Sequence, residues 1–310
     1  MGRSMLRPYK FWGAAGGVEI IRTIAWMREY ARAARAEGRV IGLVPTMGAL
    51  HEGHTALVAR ARKECSRVVA SVFVNPKQFG PKEDYNKYPR DLEKDAETLG
   101  AAGVDVLFAP EAADVYPDGF RTYVNVEGIS ERLEGRSRPG HFRGVSTVVL
   151  KLFEIVQPHF AYFGRKDAQQ VRIIGEMARD LNLDAEIVVC PVVREADGLA
   201  LSSRNAYLSG EERAAATVLA RALVAAKDEL AAGVRDVLQL QDVMRQLIEA
   251  EPLARLDYAE IVSADTFESV VRVARPCYAV LAVFVGKTRL IDNLFIEPKA
   301  DGADEFTFRL

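Results

Sequence analysis

The sequence predicts an α/β fold, in which a Rossmann-like parallel sheet domain is followed by a smaller C-terminal α+β domain. Strand-like runs that are apolar throughout alternate with helical segments from residue 40 to residue 190, as in parallel sheets that helices cover on both faces. This alternation ends after Pro191, where Ala- and Leu-rich helices and a strand hairpin follow. Because no G-x-G-x-x-G motif follows any strand, a nicotinamide or flavin dinucleotide fold has no direct support.

The composition limits the classes of function. With 310 residues, a net charge of −2 and 49% apolar residues, the chain resembles a soluble globular protein and lacks the basic excess that favours nucleic acid. Cys65, Cys190 and Cys277 form no C-x-x-C pair, which favours a reducing, cytoplasmic location and argues against a zinc site or a disulfide framework. The apolar runs are too short to cross a membrane.

The predicted elements of the first domain follow one another closely. Residues 1–17 carry no periodic pattern and are predicted to be an N-terminal extension, and residues 18–190 are predicted to form the Rossmann-like domain. The domain begins with an amphipathic helix over 23–37, which Gly38 ends. Strands are predicted at 40–44, 68–74, 104–108, 159–163 and 186–189, and further helices at 54–65, 91–102, 144–156 and 168–181.

The second domain is predicted over residues 191–298. Its first part, 191–208, is a polar connector that we expect to line the cleft between the domains. Residues 299–310 are predicted to be a loose C-terminal tail. The remaining elements are helices at 209–232 and 236–250 and strands at 258–262, 278–285 and 289–296, the last two joined by a hairpin turn at Gly286-Lys287.

Two histidines lie in the turn after the strand 40–44. In Pro45–His54 that strand gives way to a helix, and His51 and His54 flank Gly53. A helix start offers free N–H groups and the positive end of the macrodipole, which favour phosphate, and side chains three residues apart share a helix face. The turn is therefore predicted to bind a nucleoside triphosphate. A metal site is the alternative, although no third ligand is evident nearby.

A second turn of this type follows the strand 159–163. Gly164, Arg165, Lys166 and Asp167 open a helix there. A lysine can reach phosphate oxygens, and an aspartate can accept ribose hydroxyl groups. The alternative is a solvated helix start with Asp167 as its N-cap. The presence of two such turns on one parallel sheet favours ligand binding.

The connector contains a third candidate, Leu201–Asn205. Ser202, Ser203 and Arg204 supply two hydroxyls and a guanidinium within three residues, which suits β- and γ-phosphates. The alternative is a capped turn before the helix that starts near Ser209. A position between two domains favours a mobile cover over a bound nucleotide.

Two glutamines lie near these turns. Gln78 follows the strand 68–74, and Gln170 lies one helical turn after Lys166-Asp167. A glutamine amide can bind a hydroxyl and a carboxylate at once. Either residue could equally be an exposed surface group, and only the neighbouring motifs favour a binding role.

In five motifs, the sequence resembles the pantothenate synthetases (pantoate–β-alanine ligases), over roughly residues 18–298. The motifs occur in the family's order: PTMGALHEGH, SVFVNPKQF, GHFRGVSTVV, GRKDAQQ and READGLALSSRN. The resemblance implies that the carboxylate of pantoate attacks the α-phosphorus of ATP, giving pantoyl adenylate and pyrophosphate. The amine of β-alanine then displaces AMP to give pantothenate. Mg²⁺ on the ATP phosphates and a homodimer are also implied, with neither nucleic acid nor a membrane as partner.

The resemblance implies roles for individual residues, carried over by motif. The catalytic residues would be His54, His51, Lys166, Ser202 and Arg204, with His54 at the family's proton-donor position. Physically, both histidines are interpreted as electrostatic stabilisers, because pyrophosphate needs little protonation to leave. Gln78 and Gln170 would bind pantoate, and Gln78 would also lie near β-alanine. The ATP site would comprise Met47, Gly48, Ala49, Leu50, His51, Glu52, Gly53, His54, Gly164, Arg165, Lys166, Asp167, Val193, Leu201, Ser202, Ser203 and Arg204.

One position departs from the family pattern. Arg165 stands where many members have an acidic residue. Its side chain is expected to point to solvent. An inward orientation would instead add a positive charge near the phosphates and tighten ATP binding.

Three other functions fit parts of the sequence. Another nucleotidyltransferase with a His-x-Gly-His turn would use a phosphorylated acceptor, for which the uncharged Gln78 and Gln170 are less suitable. A non-catalytic nucleotide sensor would not need His54, Lys166 and Arg204 together. An RNA-binding synthetase would require a basic face and a recognition domain that the sequence lacks.

Overall fold

The computed structural model describes residues 17–81, 83–298 and 306–309. The predicted N-terminal extension, apart from Gly17, lies outside the described residues and stays a prediction. The described chain forms a parallel sheet with its helices, followed by an antiparallel sheet with its own. This arrangement confirms the predicted fold class. The domain ranges 18–190 and 191–298 remain our proposal for where one unit ends and the next begins.

The large sheet is parallel, as predicted. Its strands are β1 (Glu19–Ile21), β2 (Ile41–Thr46), β3 (Arg67–Val72), β4 (Val106–Phe108), β5 (Phe160–Gly164) and β6 (Glu186–Cys190). Their order is β1-β4-β3-β2-β5-β6, with every neighbouring pair parallel. The sequence patterns located β2 to β6 but missed β1, which is too short for its pattern to stand out.

The strand order creates a switch point between β2 and β5. From β2 the chain moves outward through β3 to β4, whereas from β5 it moves outward on the other side to β6. The connections that leave the carboxyl ends of β2 and β5 therefore diverge. In open α/β sheets this divergence leaves a crevice in which ligands bind.

Helices cover both faces of this sheet. They are α1 (Ile24–Ala36), α2 (Glu52–Glu64), α3 (Leu92–Ala101), α4 (Ala112–Val115), α5 (Glu134–Ser137), α6 (His141–Val156) and α7 (Ala168–Asp180). Buried side chains of α1, α6 and α7 form one apolar cluster with the sheet, and those of α2 and α3 form another. The threonine hydroxyl of Thr23 accepts the N–H of Trp26 and caps α1.

The second unit packs three helices on a four-stranded antiparallel sheet. Its elements are α8 (Gly210–Ala215), α9 (Val218–Ala231), α10 (Val237–Glu249), β7 (Ala254–Ser263), β8 (Cys277–Val285), β9 (Thr288–Pro298) and β10 (Phe306–Arg309), with the sheet order β10-β9-β8-β7. The predicted hairpin is confirmed, because Val285 pairs with Thr288 across the turn. The single helix predicted over 209–232 is wrong, since α8 ends before α9 begins.

The prediction of a loose tail over 299–310 is wrong for residues 306–309, which are the part of the tail that the structure describes. Strand β10 pairs antiparallel with β9. Its sequence alternates apolar and polar residues, and Phe306 and Phe308 pack against the core of the second unit. Partial burial of these two rings stabilises the segment at the edge of the sheet. Residues 299–305 and 310 lie outside the described part of the chain.

An apolar cluster and a buried ion pair join the two units. In the cluster, Leu133 and Phe142 of the first unit pack with Phe267 of the second. Beside it, the carboxylate of Glu134 accepts two hydrogen bonds from the Arg289 guanidinium, at 2.8 and 2.6 Å, and one from the Tyr258 hydroxyl at 2.7 Å. Burial opposes ionisation of Glu134, but the bonds from Arg289 hold its pKa below the ordinary value.

We expect Arg289→Ala to destabilise the protein strongly, because it leaves the Glu134 carboxylate buried without its cation. The loss in the free energy of unfolding should be about 3–5 kcal/mol, as for other broken buried pairs. Urea denaturation followed by circular dichroism measures it. Arg309→Ala is the matched control, since its pair with Glu297 is exposed and is worth less than about 1 kcal/mol. Equal losses in the two variants would contradict this account.

Candidate active site

A cavity of about 260 Å³ lies at the switch point. Its wall combines the turn after β2, the turn after β5, the start of α6 and the connector between the units. Most of the sequence-predicted site residues meet there. Those in the lining are Met47, His51, Gly53, His54, Gln78, Gly164, Lys166, Asp167, Gln170, Val193, Leu201, Ser202, Ser203 and Arg204. Gly48, Ala49, Leu50, Glu52 and Arg165 lie outside the lining.

A buried carboxylate shapes the turn after β2. Asp95 of α3 accepts the backbone N–H groups of Ala49 and Leu50, at 3.2 and 3.1 Å. Gly48 has a φ of +81°, and a Cβ there would come within 2.6 Å of Asp95. Burial raises the pKa of Asp95. Since the N–H groups of Ala49 and Leu50 are used inside the protein, they help to fix the turn, and the predicted role of Gly48 to Leu50 in ATP binding stays a prediction.

His51 and His54 are held by the first turn of α2. The Nδ1 atom of His51 accepts the N–H of Gly53 at 3.1 Å, and that of His54 accepts the N–H of His51 at 3.3 Å. A Cβ on Gly53 would meet the His51 ring at 2.8 Å, so the glycine of the motif lets the ring fold over the helix start. Because both Nδ1 atoms accept, each neutral ring carries its proton on Nε2.

Both imidazoles are neutral at pH 7. Burial, with the nearby Lys166 ammonium, lowers the pKa of His51 to about 4. Burial, followed by the influence of His51 and Lys166, lowers the pKa of His54 to about 3. The ring centroids lie 4.2 Å apart, so the pair forms one unit on the cavity wall. Two neutral N–H donors suit phosphate oxygens, whereas a protonated acid at the His54 position does not fit this environment.

The turn after β5 brings Lys166 and Asp167 to the same cavity. Asp167 occupies the N-cap position of α7, as the alternative interpretation had it, but its carboxylate makes no capping hydrogen bond to the helix. The turn is held from the second unit, where the side-chain amide of Asn293 donates to the carbonyls of Arg165 and Lys166, at 3.0 and 2.8 Å. Asn293 is only 2% exposed, so a buried amide fixes the backbone that carries Lys166.

The expectation that Arg165 points to solvent is wrong. The residue is buried, and its guanidinium lies 5.5 Å from the ring centroid of Phe295 on β9. The side chain also stays out of the cavity, so it adds no charge beside a phosphate there. Arg165 instead packs between the two units, a tertiary contact that the local sequence does not encode.

The connector closes the cavity through contacts with the loop after β3. Its Arg204 guanidinium forms two hydrogen bonds to the Asp84 carboxylate, at 3.2 and 3.1 Å. The hydroxyl groups of Ser203 and Tyr88 lie 3.2 Å apart. Ser202 accepts the N–H of Arg204 and caps the short turn that follows. A phosphate that contacts Arg204 would therefore share the guanidinium with Asp84.

The two glutamines present their amides differently. Gln78 accepts from Asn75 at 2.9 Å, and its Nε2 lies 3.1 Å from the sulfur of Met47. Gln170 faces the large cavity and a smaller one of about 40 Å³ that adjoins it. Its amide has no hydrogen bond to any other residue that the structure describes, so it is available to a ligand.

Arg138 and His141 were not singled out from the sequence, although both belong to or border the GHFRGV motif. His141 donates from Nδ1 to the Gln78 carbonyl at 2.8 Å, and its Nε2 accepts from Arg138 at 3.1 Å. Arg138 in turn pairs with Glu83, at 2.9 and 2.6 Å. Burial, with the nearby Arg138 charge, lowers the pKa of His141 to about 4. The sequence signal that could have identified His141 is that it begins a helix directly after a glycine.

The charge of the cavity favours an anionic ligand. Lys166, Arg138 and Arg204 line it, and Asp167 is the one acidic residue of its described lining. Among residues 17–81, 83–298 and 306–309, no group of three acidic, histidine or cysteine side chains is arranged to hold a metal ion. No helix in the described ranges is long and apolar enough to cross a membrane.

The sequence is similar to those of pantothenate synthetases. A family model described as pantoate–β-alanine ligase matches residues 19–295. The pantothenate synthetase of Heliobacterium modesticaldum is 56% identical to this chain, over 90% of this chain and 99% of its own length. That of Acetivibrio thermocellus is 53% identical, over 90% of this chain and 100% of its own length.

Solved structures agree with this assignment. A pantothenate synthetase from Thermus thermophilus superimposes with a TM-score of 0.84 at 48% identity, covering 88% of this chain and 98% of that one. A pantoate–β-alanine ligase from Francisella tularensis, complexed with beta-gamma ATP and β-alanine, gives a TM-score of 0.73 at 36% identity, covering 89% and 97%. The chain therefore belongs to the pantoate–β-alanine ligase (pantothenate synthetase) family.

Proposed function

We propose that the protein is an ATP-dependent ligase that condenses pantoate with β-alanine to give pantothenate, AMP and pyrophosphate, through a pantoyl adenylate. Family membership supports the overall reaction. The observation that carries the site assignment is the meeting of His51, His54 and Lys166 with Gln78 and Gln170 in one cavity at the switch point. The first three suit a triphosphate, and the two amides suit a small hydroxy acid.

In the first step, a carboxylate oxygen of pantoate forms a bond to the α-phosphorus of ATP, and the bond to pyrophosphate breaks. Negative charge then builds up on the phosphate oxygens. The Nε2–H groups of His51 and His54 would donate to those oxygens, and the Lys166 ammonium would supply the neighbouring positive charge. Groups held in place before the reaction stabilise this charge without reorganising during it.

In the second step, the neutral amine of β-alanine attacks the carbonyl of the adenylate, and AMP leaves. The adenylate must survive until the amine arrives, so water has to be kept away from it. The contacts of Arg204 and Ser203 with the loop after β3 would supply such a cover. Gln78, which lines the cavity, would bind pantoate and lie near β-alanine, so that both acyl-transfer partners would meet beside it.

Mg²⁺ would enter with the nucleotide. This ion usually binds phosphate oxygens, water and only one or two carboxylates, so it needs no cage of protein ligands. The Asp167 carboxylate faces the cavity and suits either such an ion or the ribose hydroxyls of ATP. We also propose a cytoplasmic location, on the evidence of three unpaired cysteines, and a homodimer, by family resemblance.

The principal alternative is a nucleotidyltransferase that acts on a phosphorylated acceptor. Such an acceptor would need a second cationic pocket beyond the triphosphate site. In the described cavity, Arg138 and Arg204 are already paired with Glu83 and Asp84. The uncharged Gln78 and Gln170 therefore favour pantoate as the acceptor.

The reaction is tested by measuring pyrophosphate and AMP release from Mg-ATP. We expect pyrophosphate with pantoate alone, in amounts close to the enzyme concentration, because the adenylate stays bound. AMP and pantothenate should appear in multiple turnovers only when β-alanine is added. An enzyme that releases no pyrophosphate with pantoate but does so with a phosphorylated acceptor would contradict the proposal.

We expect Lys166→Ala to slow pyrophosphate release by about 10²–10³-fold, because it removes a preorganised charge beside the phosphates. Rapid-quench measurement of the first turnover separates this step from product release. Lys63→Ala is the control, since Lys63 is an exposed lysine at the end of α2. Matching thermal unfolding of both variants would show that the fold survives. A first turnover in Lys166→Ala as fast as in Lys63→Ala would refute the assignment.

The low pKa values of His51 and His54 predict a level pH profile. Because both rings are neutral, kcat/KM for Mg-ATP should stay constant from about pH 6 to pH 8. A required imidazolium of ordinary pKa would instead make it fall about tenfold per pH unit above about pH 6.5. His54→Gln, which keeps an N–H donor but does not titrate, is the control and should retain more activity than His54→Ala. A fall above neutrality that His54→Gln abolishes would overturn this interpretation.

A further inference from the structure

We propose that Tyr116 is a positioning residue for pantoate recognition, acting through Asn75 to orient the amide of Gln78. The proposal rests on the function proposed above and deepens it. Tyr116 follows α4 and lies outside the described cavity lining, whereas Asn75 and Gln78 lie within it. A chain of hydrogen bonds therefore leads from a residue remote from the ligand to one that contacts it.

Asn75 is the central member of this chain, and every hydrogen-bonding position of its side chain is occupied. Its Oδ1 accepts from the Tyr116 hydroxyl at 2.8 Å and from the Lys77 N–H at 3.2 Å. Its Nδ2 donates to the Gln78 Oε1 at 2.9 Å and to the Gly144 carbonyl at 3.1 Å. Asn75 is 1% exposed, so a flipped amide would bury its Nδ2 against the Lys77 N–H and its Oδ1 against the Gly144 carbonyl, two mismatched contacts.

The orientation of Asn75 determines which end of Gln78 faces the ligand. Since the Gln78 Oε1 already accepts from Asn75, the Nε2 group must point the other way, toward the Met47 sulfur and the cavity. One N–H of the amide points toward the sulfur, and the other is offered to an incoming substrate. Such a donor matches the carboxylate and hydroxyl oxygens of pantoate.

Tyr116 donates to Asn75, because the atom that faces its hydroxyl is the amide oxygen Oδ1. Burial raises its pKa well above the ordinary value, so the phenol stays protonated. The ring is fixed by edge contact with Phe120, at 5.0 Å between centroids, and by the Lys77 and Lys151 ammonium groups, each 5.8 Å from its centroid. A rigid ring holds the hydroxyl at one place and so limits the motion of the Asn75 oxygen.

The close approach of α6 completes the arrangement. A Cβ on Gly144 would lie 2.1 Å from the Lys77 carbonyl oxygen, a distance that a real side chain cannot adopt. The glycine therefore lets the helix backbone reach the turn that carries Gln78, and its carbonyl takes the second N–H of Asn75. Both ends of the Asn75 amide are thus held by rigid neighbours.

The test is Tyr116→Phe, which deletes one hydroxyl and keeps the ring. Because one hydrogen bond is lost, KM for pantoate should rise about three- to tenfold, while KM for ATP stays within about twofold. Tyr123→Phe is the matched control. Tyr123 lies in the same segment, and its ring centroid is 3.9 Å from the Arg143 guanidinium. Its hydroxyl has no hydrogen bond among the described residues, so the KM for pantoate of the Tyr123→Phe enzyme should not change.

A double-mutant cycle shows whether Tyr116 acts through Gln78. In single-turnover pyrophosphate release at high enzyme concentration, Tyr116→Phe should weaken pantoate use in the wild-type background and have no further effect in Gln78→Ala. Equal losses in both backgrounds, or an unchanged KM for pantoate in Tyr116→Phe, would overturn the proposal. If the wild-type protein uses ATP but not pantoate, the proposed function fails instead.

Discussion

The parallel pairing of β2 with β5 is the interaction on which the site depends. It places Gly42 opposite Phe160 and Leu43 opposite Ala161, and so brings two turns that are more than a hundred residues apart to one edge of the sheet. The packing on this pair of strands favours a small residue. A Cβ at Gly42 would lie 2.7 Å from the Cys65 sulfur and 3.1 Å from the Tyr162 ring, so both side chains would have to move away from the strands.

Three buried polar side chains, two outside the cavity lining and one within it, hold the groups that face the cavity. Asp95 fixes the turn after β2, Asn293 fixes the turn after β5, and Asn75 fixes the Gln78 amide. Each is nearly fully buried, so loss of its partner would leave a polar group without water. The geometry of the site is therefore set by the folding of three separate elements, and one of them, β9, belongs to the second unit.

Local sequence predicted the parts of this structure that local interactions determine. The turns carrying His51 and Lys166 were located because each follows a continuous apolar strand. Strand order is a global property, so the sequence could not show that β2 and β5 are neighbours. The direction of Arg165 depends on Phe295, more than a hundred residues away. The break after α8 has no glycine or proline to mark it, and the edge strand β10 was hidden because its alternating pattern spans only four residues.

The neutral histidines change how charge is distributed in the site. With imidazoles uncharged, the positive charge facing the cavity comes from Lys166 and from Arg138 and Arg204, and the last two are paired with carboxylates. If both histidines were protonated and both arginines unpaired, they and Lys166 would make five free cations. Such a site would bind pyrophosphate tightly and hinder its release. Pairing leaves Lys166 as the one lining cation without a carboxylate partner among the described residues, while the neutral N–H donors contribute most as phosphate charge develops. If the proposed function is correct, strong binding would thereby be confined to the reacting phosphate, which is where it would accelerate the reaction.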